Sequence, residues 1–173
     1  MYYSTTYQSP MGVITLACNG GNLVGLWNEG QKYHGGSIPE AMAEKSDAPE
    51  FDAAKQWLDK YFAGEQPAAS ELPLAPIGSA FRQRVWDMLC EIPYGEVVTY
   101  GDIAKQIGCK SSQAVGGAVG HNPISIVIPC HRVVGANGSL TGYAGGVQTK
   151  IKLLALEGVD MSGLFVPKKG TAL

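Results

Sequence analysis

No stretch of this chain approaches the roughly 20 consecutive apolar residues that a membrane-spanning helix needs, so no partner membrane is expected. Residues 1–6 hold neither a basic cluster nor an apolar run, and no signal peptide is expected there. Cysteine is sparse. Cys18, Cys90, Cys109 and Cys130 make no C-x-x-C pair, which argues against a zinc ribbon and a disulfide scaffold. Reduced thiols in a cytoplasmic setting are the expectation. Charge is also thin, at 16% of residues with a net of −2, so charge alone does not announce a nucleic-acid partner.

What the chain has is glycine, 23 of 173 residues, against a usual share of about 7%. Some part of it needs tight turns or close backbone approach. The 45% hydrophobic content permits a buried core. Charge is unevenly placed: residues 1–78 hold four basic and nine acidic side chains, residues 79–173 nine basic and six acidic. A mildly basic second half permits an anionic partner without demanding one.

The first third reads as β. Runs rich in β-formers over 2–7, 12–17 and 23–27 are separated by Ser9-Pro10 and Asn19-Gly20-Gly21-Asn22, which are hairpin signals. A loop over 35–49 follows. Then Phe51, Ala54, Trp57, Leu58, Tyr61 and Phe62 fall on one helical stripe that ends at Gly64. Pro67, Pro73, Pro76 and Gly78 mark a linker. Two domains are expected, 1–77 as an α/β support domain and 78–173 carrying the chemistry.

In the second part Ser79 reads as the N-cap of a helix to about Glu91, with Phe81, Val85, Met88 and Leu89 buried. Thr99 reads as the cap of a helix over 100–106, and Ser111 or Ser112 as the cap of another over 113–120. Two short helices around a Gly-containing turn form a helix-turn-helix candidate. The second of them, Gln113-Ala114-Val115-Gly116-Gly117-Ala118-Val119-Gly120, has almost no bulk and no charge. Its backbone either presses against a surface such as a minor groove or packs inside the protein.

The apolar run Ile124-Ser125-Ile126-Val127-Ile128 reads as a strand that delivers Pro129-Cys130-His131-Arg132. A thiol beside an imidazole is how proteins prepare a cysteine nucleophile. Neighbours on a regular strand point to opposite faces, so cooperation between Cys130 and His131 requires a turn or a bridging water. No other cysteine has an adjacent histidine, and Cys130 is the candidate nucleophile.

The stretch Ile128-Pro129-Cys130-His131-Arg132-Val133-Val134 resembles the active-site signature of the O6-alkylguanine-DNA alkyltransferases. The resemblance extends to Ile92-Pro93-Tyr94-Gly95-Glu96-Val97-Val98-Thr99-Tyr100, Ala114-Val115-Gly116, Asn122-Pro123, Gly142-Tyr143-Ala144-Gly145-Gly146 and Leu153-Leu154-Ala155-Leu156-Glu157-Gly158. It covers residues 79–158 densely and in order.

The resemblance implies an α+β fold: a small N-terminal sheet with a helix, then a mostly helical, winged-helix-like domain with a helix-turn-helix. It implies a monomer that binds alkylated double-stranded DNA through the minor groove and rotates the damaged base out of the stack. The alkyl group of O6-alkylguanine, and of O4-alkylthymine, would pass irreversibly to Cys130 in one turnover. In that scheme His131 is the base acting through water and Glu157 orients it. Asn122 links the recognition helix to the active-site loop. Tyr100 donates its hydroxyl to the flipped base, Tyr143 walls the pocket, the Ala144 amide donates to O6, and the Val133 and Cys130 carbonyls accept from the exocyclic amine.

Gln113, Ala114, Gly117 and Ala118 would contact DNA, with Gln113 standing where the family often has an arginine. Arg132 is open between phosphate contact and structure. No cofactor is implied. The zinc site of some members needs N-terminal Cys and His ligands, and this chain offers only Cys18 and His34 there, so no metal is expected.

Overall fold

A computed structural model of the chain describes residues 1–141 and 143–167. Gly142 of the Gly-Tyr-Ala-Gly-Gly motif lies outside the described residues. The chain divides into two compact units, one comprising Met1–Gly78 with Pro123–Val127, the other Ser79–Asn122 with Ile128–Leu173.

In the first unit β1 (Tyr2–Ser9), β2 (Gly12–Asn19) and β3 (Asn22–Asn28) form an antiparallel meander, and β4 (Met42–Glu44) adds a parallel strand beside β1. The sheet order is β3-β2-β1-β4. The strand β4 falls inside the segment read from sequence as a loop; three residues are too few to show an alternation. Helix α1 (Pro49–Phe62) opens with a proline in its first turn and carries Glu50 and Asp52 at its start and Lys60 at its end, as the helix dipole favours. Its stripe Phe51, Ala54, Trp57, Leu58 and Tyr61 is buried, and it packs against β1, β2 and β3. Full burial of a side chain such as Leu58 is worth about 1.5–3 kcal/mol. Gly25 sits where an added Cβ would fall 2.1 Å from the Trp27 ring, so that ring folds back over bare backbone.

The second unit contains α2 (Ala80–Cys90), β5 (Val98–Thr99), α3 (Tyr100–Gln106), α4 (Ser112–Gly120), β6 (Val133–Val134) and α5 (Val147–Leu156). Ser79 caps α2 as expected, accepting from the Arg82 amide. The buried face of α2 is Val85, Trp86 and Leu89, while Phe81 and Met88 are half-buried. Trp86 turns inward because its Nε1–H finds the Ala118 carbonyl at 2.9 Å, which removes the cost of burying an indole donor.

Thr99 and Asp102 cap α3 reciprocally, each side chain accepting from the other's backbone N–H at 3.0 Å. The Ser111 hydroxyl accepts from the Ala114 amide to start α4. Arg84 donates to the Ile107 carbonyl at the end of α3, 2.9 Å away, which steadies the turn between α3 and α4. The parallel ladder Val98–Val133, Thr99–Val134 joins the start of α3 to the segment after Cys130.

Residues 124–128 are not the strand expected from their composition. Only Ile124 makes a bridge, parallel to Leu26, and the rest turns. Burial alone explains the run of isoleucine and valine here: all five residues are buried, and buried turns and buried strands draw on the same apolar residues.

Candidate active site

Pro129 leads into a single 3₁₀ turn, Cys130–Arg132. Cys130 and His131 therefore lie on a tight turn and not on a regular strand, and both are buried in one unit. Cys130 is 5% exposed and His131 fully buried. His131 Nε2 lies 2.5 Å from Glu157 Oε2. Glu157, which ends α5 as its C-cap, is buried rather than solvated.

Arg132 closes the group. Its Nε donates to Glu157 Oε1 at 2.7 Å, its Nη2 to Oε2 at 3.1 Å and its Nη1 to the Ile92 carbonyl at 2.7 Å. The guanidinium also lies over the Tyr94 ring, 5.6 Å from its centre. These partners give Arg132 a structural duty, the alternative that sequence left open. The Gly95 amide donates to Glu157 Oε1 at 3.3 Å. Gly95 has a φ of 81°, and a Cβ there would meet the Glu157 carbonyl oxygen at 3.1 Å, so the turn over the carboxylate requires glycine twice over.

The charges follow from these contacts. Burial would raise the Glu157 carboxyl, but hydrogen bonds from His131 and Arg132 and their charges hold it down at about 2. Burial pushes the His131 imidazole below its ordinary value, against the pull of Glu157. An ionised Glu157 accepts, so Nε2 of a neutral His131 carries the proton. His131 Nδ1 is left as a buried lone pair with no hydrogen-bond partner among the described residues. Burial also raises the Cys130 thiol, opposed by the Asn122 side chain and the Lys150 charge.

Asn122 follows α4, whose C-cap is His121. Its Nδ2 donates to the Ile128 carbonyl at 2.8 Å, and the Cys130 amide donates to that same oxygen at 2.8 Å. One carbonyl thus ties the residue that follows α4 to Cys130.

Lys150 is a buried charge beside the candidate site that sequence reading passed over. It is 0% exposed. Its Nζ donates to the carbonyls of Val133, at 2.5 Å, and Thr141, at 3.0 Å. Burial lowers its pKa to about 8. A signal was present: Lys150, Leu153, Leu154 and Glu157 are spaced i, i+3, i+4, i+7, so a lysine and a glutamate share the apolar stripe of α5.

Tyr100 is buried, and its hydroxyl donates to the Thr141 carbonyl at 3.0 Å, so the proton assigned to a flipped base is already committed to the protein. Val133 is buried, and Tyr143 and Ala144 are half-buried. On α4, Gln113 and Ala114 are exposed and Gly117 is half-buried. Ala118 is a correction. It is 3% exposed, faces inward beside Trp86 and offers no side-chain surface to DNA. The helix therefore satisfies both readings of its small residues: Val115, Gly116, Ala118 and Val119 pack inside, and the other face is lean and open. Among the described residues, no group of three or more His, Cys, Asp or Glu could hold a metal ion, and no helix is long and apolar enough to cross a membrane.

Fold and site together define an α+β protein in which a buried thiol, followed by a histidine paired with a buried glutamate, sits one short link from a helix-turn-helix. Residues 80–159 match the family model for the 6-O-methylguanine DNA methyltransferase DNA-binding domain, and residues 1–76 that for the ribonuclease-like domain of the same proteins. The chain is 47% identical over 163 residues to the methylated-DNA–protein-cysteine methyltransferase of Methanosarcina acetivorans, covering 91% of this chain and 99% of that one. The Mycobacterium tuberculosis protein of that name is 46% identical over 158 residues, 91% of this chain and 93% of its own. A crystal structure of Mycobacterium tuberculosis OGT in complex with DNA superposes with a TM-score of 0.80 at 44% identity, over 90% of this chain and 91% of that one. The chain belongs to the 6-O-methylguanine DNA methyltransferase family and is a DNA-binding repair methyltransferase.

Proposed function

We infer that this protein reverses O6-alkylguanine, and O4-alkylthymine, in double-stranded DNA by taking the alkyl group onto Cys130, once per molecule. The observation that carries the reading is the buried His131–Glu157 pair in the turn that begins at Cys130, with Nε2 of His131 committed to Glu157 and Nδ1 left to accept. The Cys130 proton passes through one water to Nδ1. The sulfur attacks the alkyl carbon, the S–C bond forms, the C–O6 bond breaks, and guanine regains a proton. Nothing in this sequence releases the thioether, so the protein is consumed, and neither metal nor cofactor takes part.

Leaving-group charge on O6 calls for donors placed where it develops. The Ala144 amide fits that place, with Tyr143 as a pocket wall and the Val133 carbonyl reading the exocyclic amine. Tyr100 must trade its bond to Thr141 for one to the base. The lean outer face of α4, with Gln113, Ala114 and Gly117, lies in the minor groove, and Gln113 fills the gap left by the rotated base. Exposed Lys105 and Lys110 flank the helix-turn-helix turn and supply phosphate attraction. The protein acts as a monomer in the cytoplasm, where its DNA substrate is exposed.

Intact-mass spectrometry with a duplex carrying O6-methylguanine tests the reading. The expected result is a gain of about one methylene, once per chain, because nucleophilic attack leaves the acceptor covalently marked. Peptide mapping places the mark on Cys130, and Cys130→Ser abolishes it while keeping DNA binding. An unmodified protein that turns over, or a mark on Cys18, Cys90 or Cys109, overturns it.

A further inference from the structure

The peptide that delivers Cys130 leaves the unit that holds it. Asn122 and Ile128 belong to the second unit, but the five residues joining them, Pro123–Val127, belong to the first. There they run along β3: Leu26 N–H donates to the Pro123 carbonyl at 2.8 Å, and Ser125 N–H donates to the Leu26 carbonyl at 3.0 Å. The chain then reverses sharply. Val127 N–H donates to the Ser125 carbonyl at 2.8 Å, which closes a γ-turn on Ile126, whose φ is 72°. A γ-turn of this hand is rare and strained, and a β-branched residue is the least suited to it. Tyr33 is the other described non-glycine residue with positive φ, and it is exposed. Ile126 is 1% exposed and four residues from the nucleophile.

Strain of this kind persists where the surroundings over-determine the backbone. The restraint is visible. Gln31 Oε1 accepts three hydrogen bonds, from the Asn28 amide at 2.9 Å, from Asn28 Nδ2 at 3.2 Å and from the Ser125 hydroxyl at 3.2 Å. Gln31 N–H donates to the Asn28 carbonyl at 3.0 Å, so the glutamine is itself fixed by the turn that ends β3. Gln31 and Ser125 are both buried. Downstream, Cys130 N–H donates to the Ile128 carbonyl across Pro129, a second three-residue turn. From Ser125 to Cys130 the chain is two consecutive tight turns, with little slack to absorb a shift at either end.

We propose that Gln31 and Ile126 are positioning residues for Cys130: the glutamine clamps Ser125, and the strained turn at Ile126 fixes the backbone from which the Ile128–Cys130 turn follows. The first unit is then part of the alkyl-transfer machinery and not only a support. This rests on Cys130 being the alkyl acceptor and adds the question of what aims it.

The test is single-turnover transfer from excess duplex DNA carrying O6-methylguanine, followed by intact mass on the full chain. The limiting first-order rate constant does not depend on how much protein is folded; the amplitude reports that fraction separately. Gln31→Met keeps the length and removes the acceptor. It should lower the limiting rate constant by about tenfold, as misplacement of a reacting group does, with the half-saturating DNA concentration unchanged. Gln31→Glu retains an acceptor oxygen and should restore most of the rate. Ser125→Ala should slow transfer in the same way, and combining it with Gln31→Met should add little, because both break one link. A wild-type limiting rate constant in Gln31→Met overturns the proposal, whatever its thermal stability. If Gln31→Met does not fold, Ser125→Ala decides by the same criterion. Failure of the wild-type protein to take up an alkyl group on Cys130 would instead defeat the functional reading, before any variant is compared.

Discussion

Glu157 Oε2 lies 2.5 Å from His131 Nε2 with both side chains fully shielded from solvent. Arg132 holds the same carboxylate in a two-pronged grip. An acceptor that cannot be protonated near neutral pH decides which imidazole nitrogen carries hydrogen. The other nitrogen is thereby left without hydrogen, and Cys130 begins the same turn.

Glu157→Gln replaces an obligate acceptor with an amide that can donate, and the tautomer is no longer fixed. Transfer should slow by about 10²–10⁴-fold, the usual worth of positioned acid–base assistance, with DNA affinity within about twofold of wild type, since each tenfold in affinity is about 1.4 kcal/mol. His131→Ala should lose a similar amount, and the double variant little more, because the two act as one unit. Single-turnover rates beside equilibrium DNA titrations separate the effects. Wild-type rates in both single variants would reduce the pair to a structural ion pair.

The same pair predicts an acid limb in stability. The folded-state pKa of Glu157, about 2, lies below its ordinary value of 4.5. Its contribution is therefore fully present above about pH 4.5 and is lost as pH falls toward 2. Denaturant titrations between pH 2 and 6 should show wild type losing stability faster with falling pH than Glu157→Gln, which has no proton to take up. Parallel curves would mean that the carboxylate is not held as the geometry indicates.

Lys150 sets a second pH dependence, in the rate. Its ammonium favours the Cys130 thiolate against burial, and the thiolate is the attacking form. Transfer should accelerate as pH rises from 6. As pH passes through about 8 Lys150 loses its proton, the thiol becomes a weaker acid, and the climb should flatten. Lys150→Met removes the charge at every pH. Its rates should be lower at pH 7 and should rise without that break, the limb displaced to higher pH. Profiles that superimpose after scaling would show that Lys150 only holds the Val133 and Thr141 carbonyls.

Much of the frame was legible because its signals are local. The hairpins, the α1 stripe, the Ser79 and Thr99 caps and the choice between Ser111 and Ser112 depend on residues a few positions apart, and the structure realises them, with Ser111 as the cap of α4. Cys130, His131 and Glu157 were legible as a motif. The route between Asn122 and Ile128 was not, because a buried turn and a buried strand share a composition. Nor was the role of Lys150, since a lysine is read as solvated until its stripe is weighed. The duty of Arg132 could not be read either, because its partners Glu157 and Ile92 lie 25 and 40 residues away. Ala118 was misassigned because α4 is small on both faces, and only packing against Trp86 tells inside from outside.

Gly117 offers the sharpest test of the α4 face. A Cβ built there meets no atom within 4 Å, so nothing in the protein forbids a side chain. Yet glycine inside a helix costs about 1 kcal/mol relative to alanine. Gly117→Ala should therefore stabilise the free protein by about 0.5–1 kcal/mol while weakening its binding to duplex DNA, because the methyl group stands where a groove wall must come close. Gln113 lies four residues earlier on the same open face. Gln113→Ala should slow repair of duplex DNA without gaining stability, and Gln113→Arg should maintain or raise repair and steepen its salt dependence by about one counterion. Thermal denaturation with DNA titrations at several salt concentrations reads all three variants. If Gly117→Ala gains stability and binds duplex DNA as tightly as wild type, the open face of α4 is not the one that meets the groove.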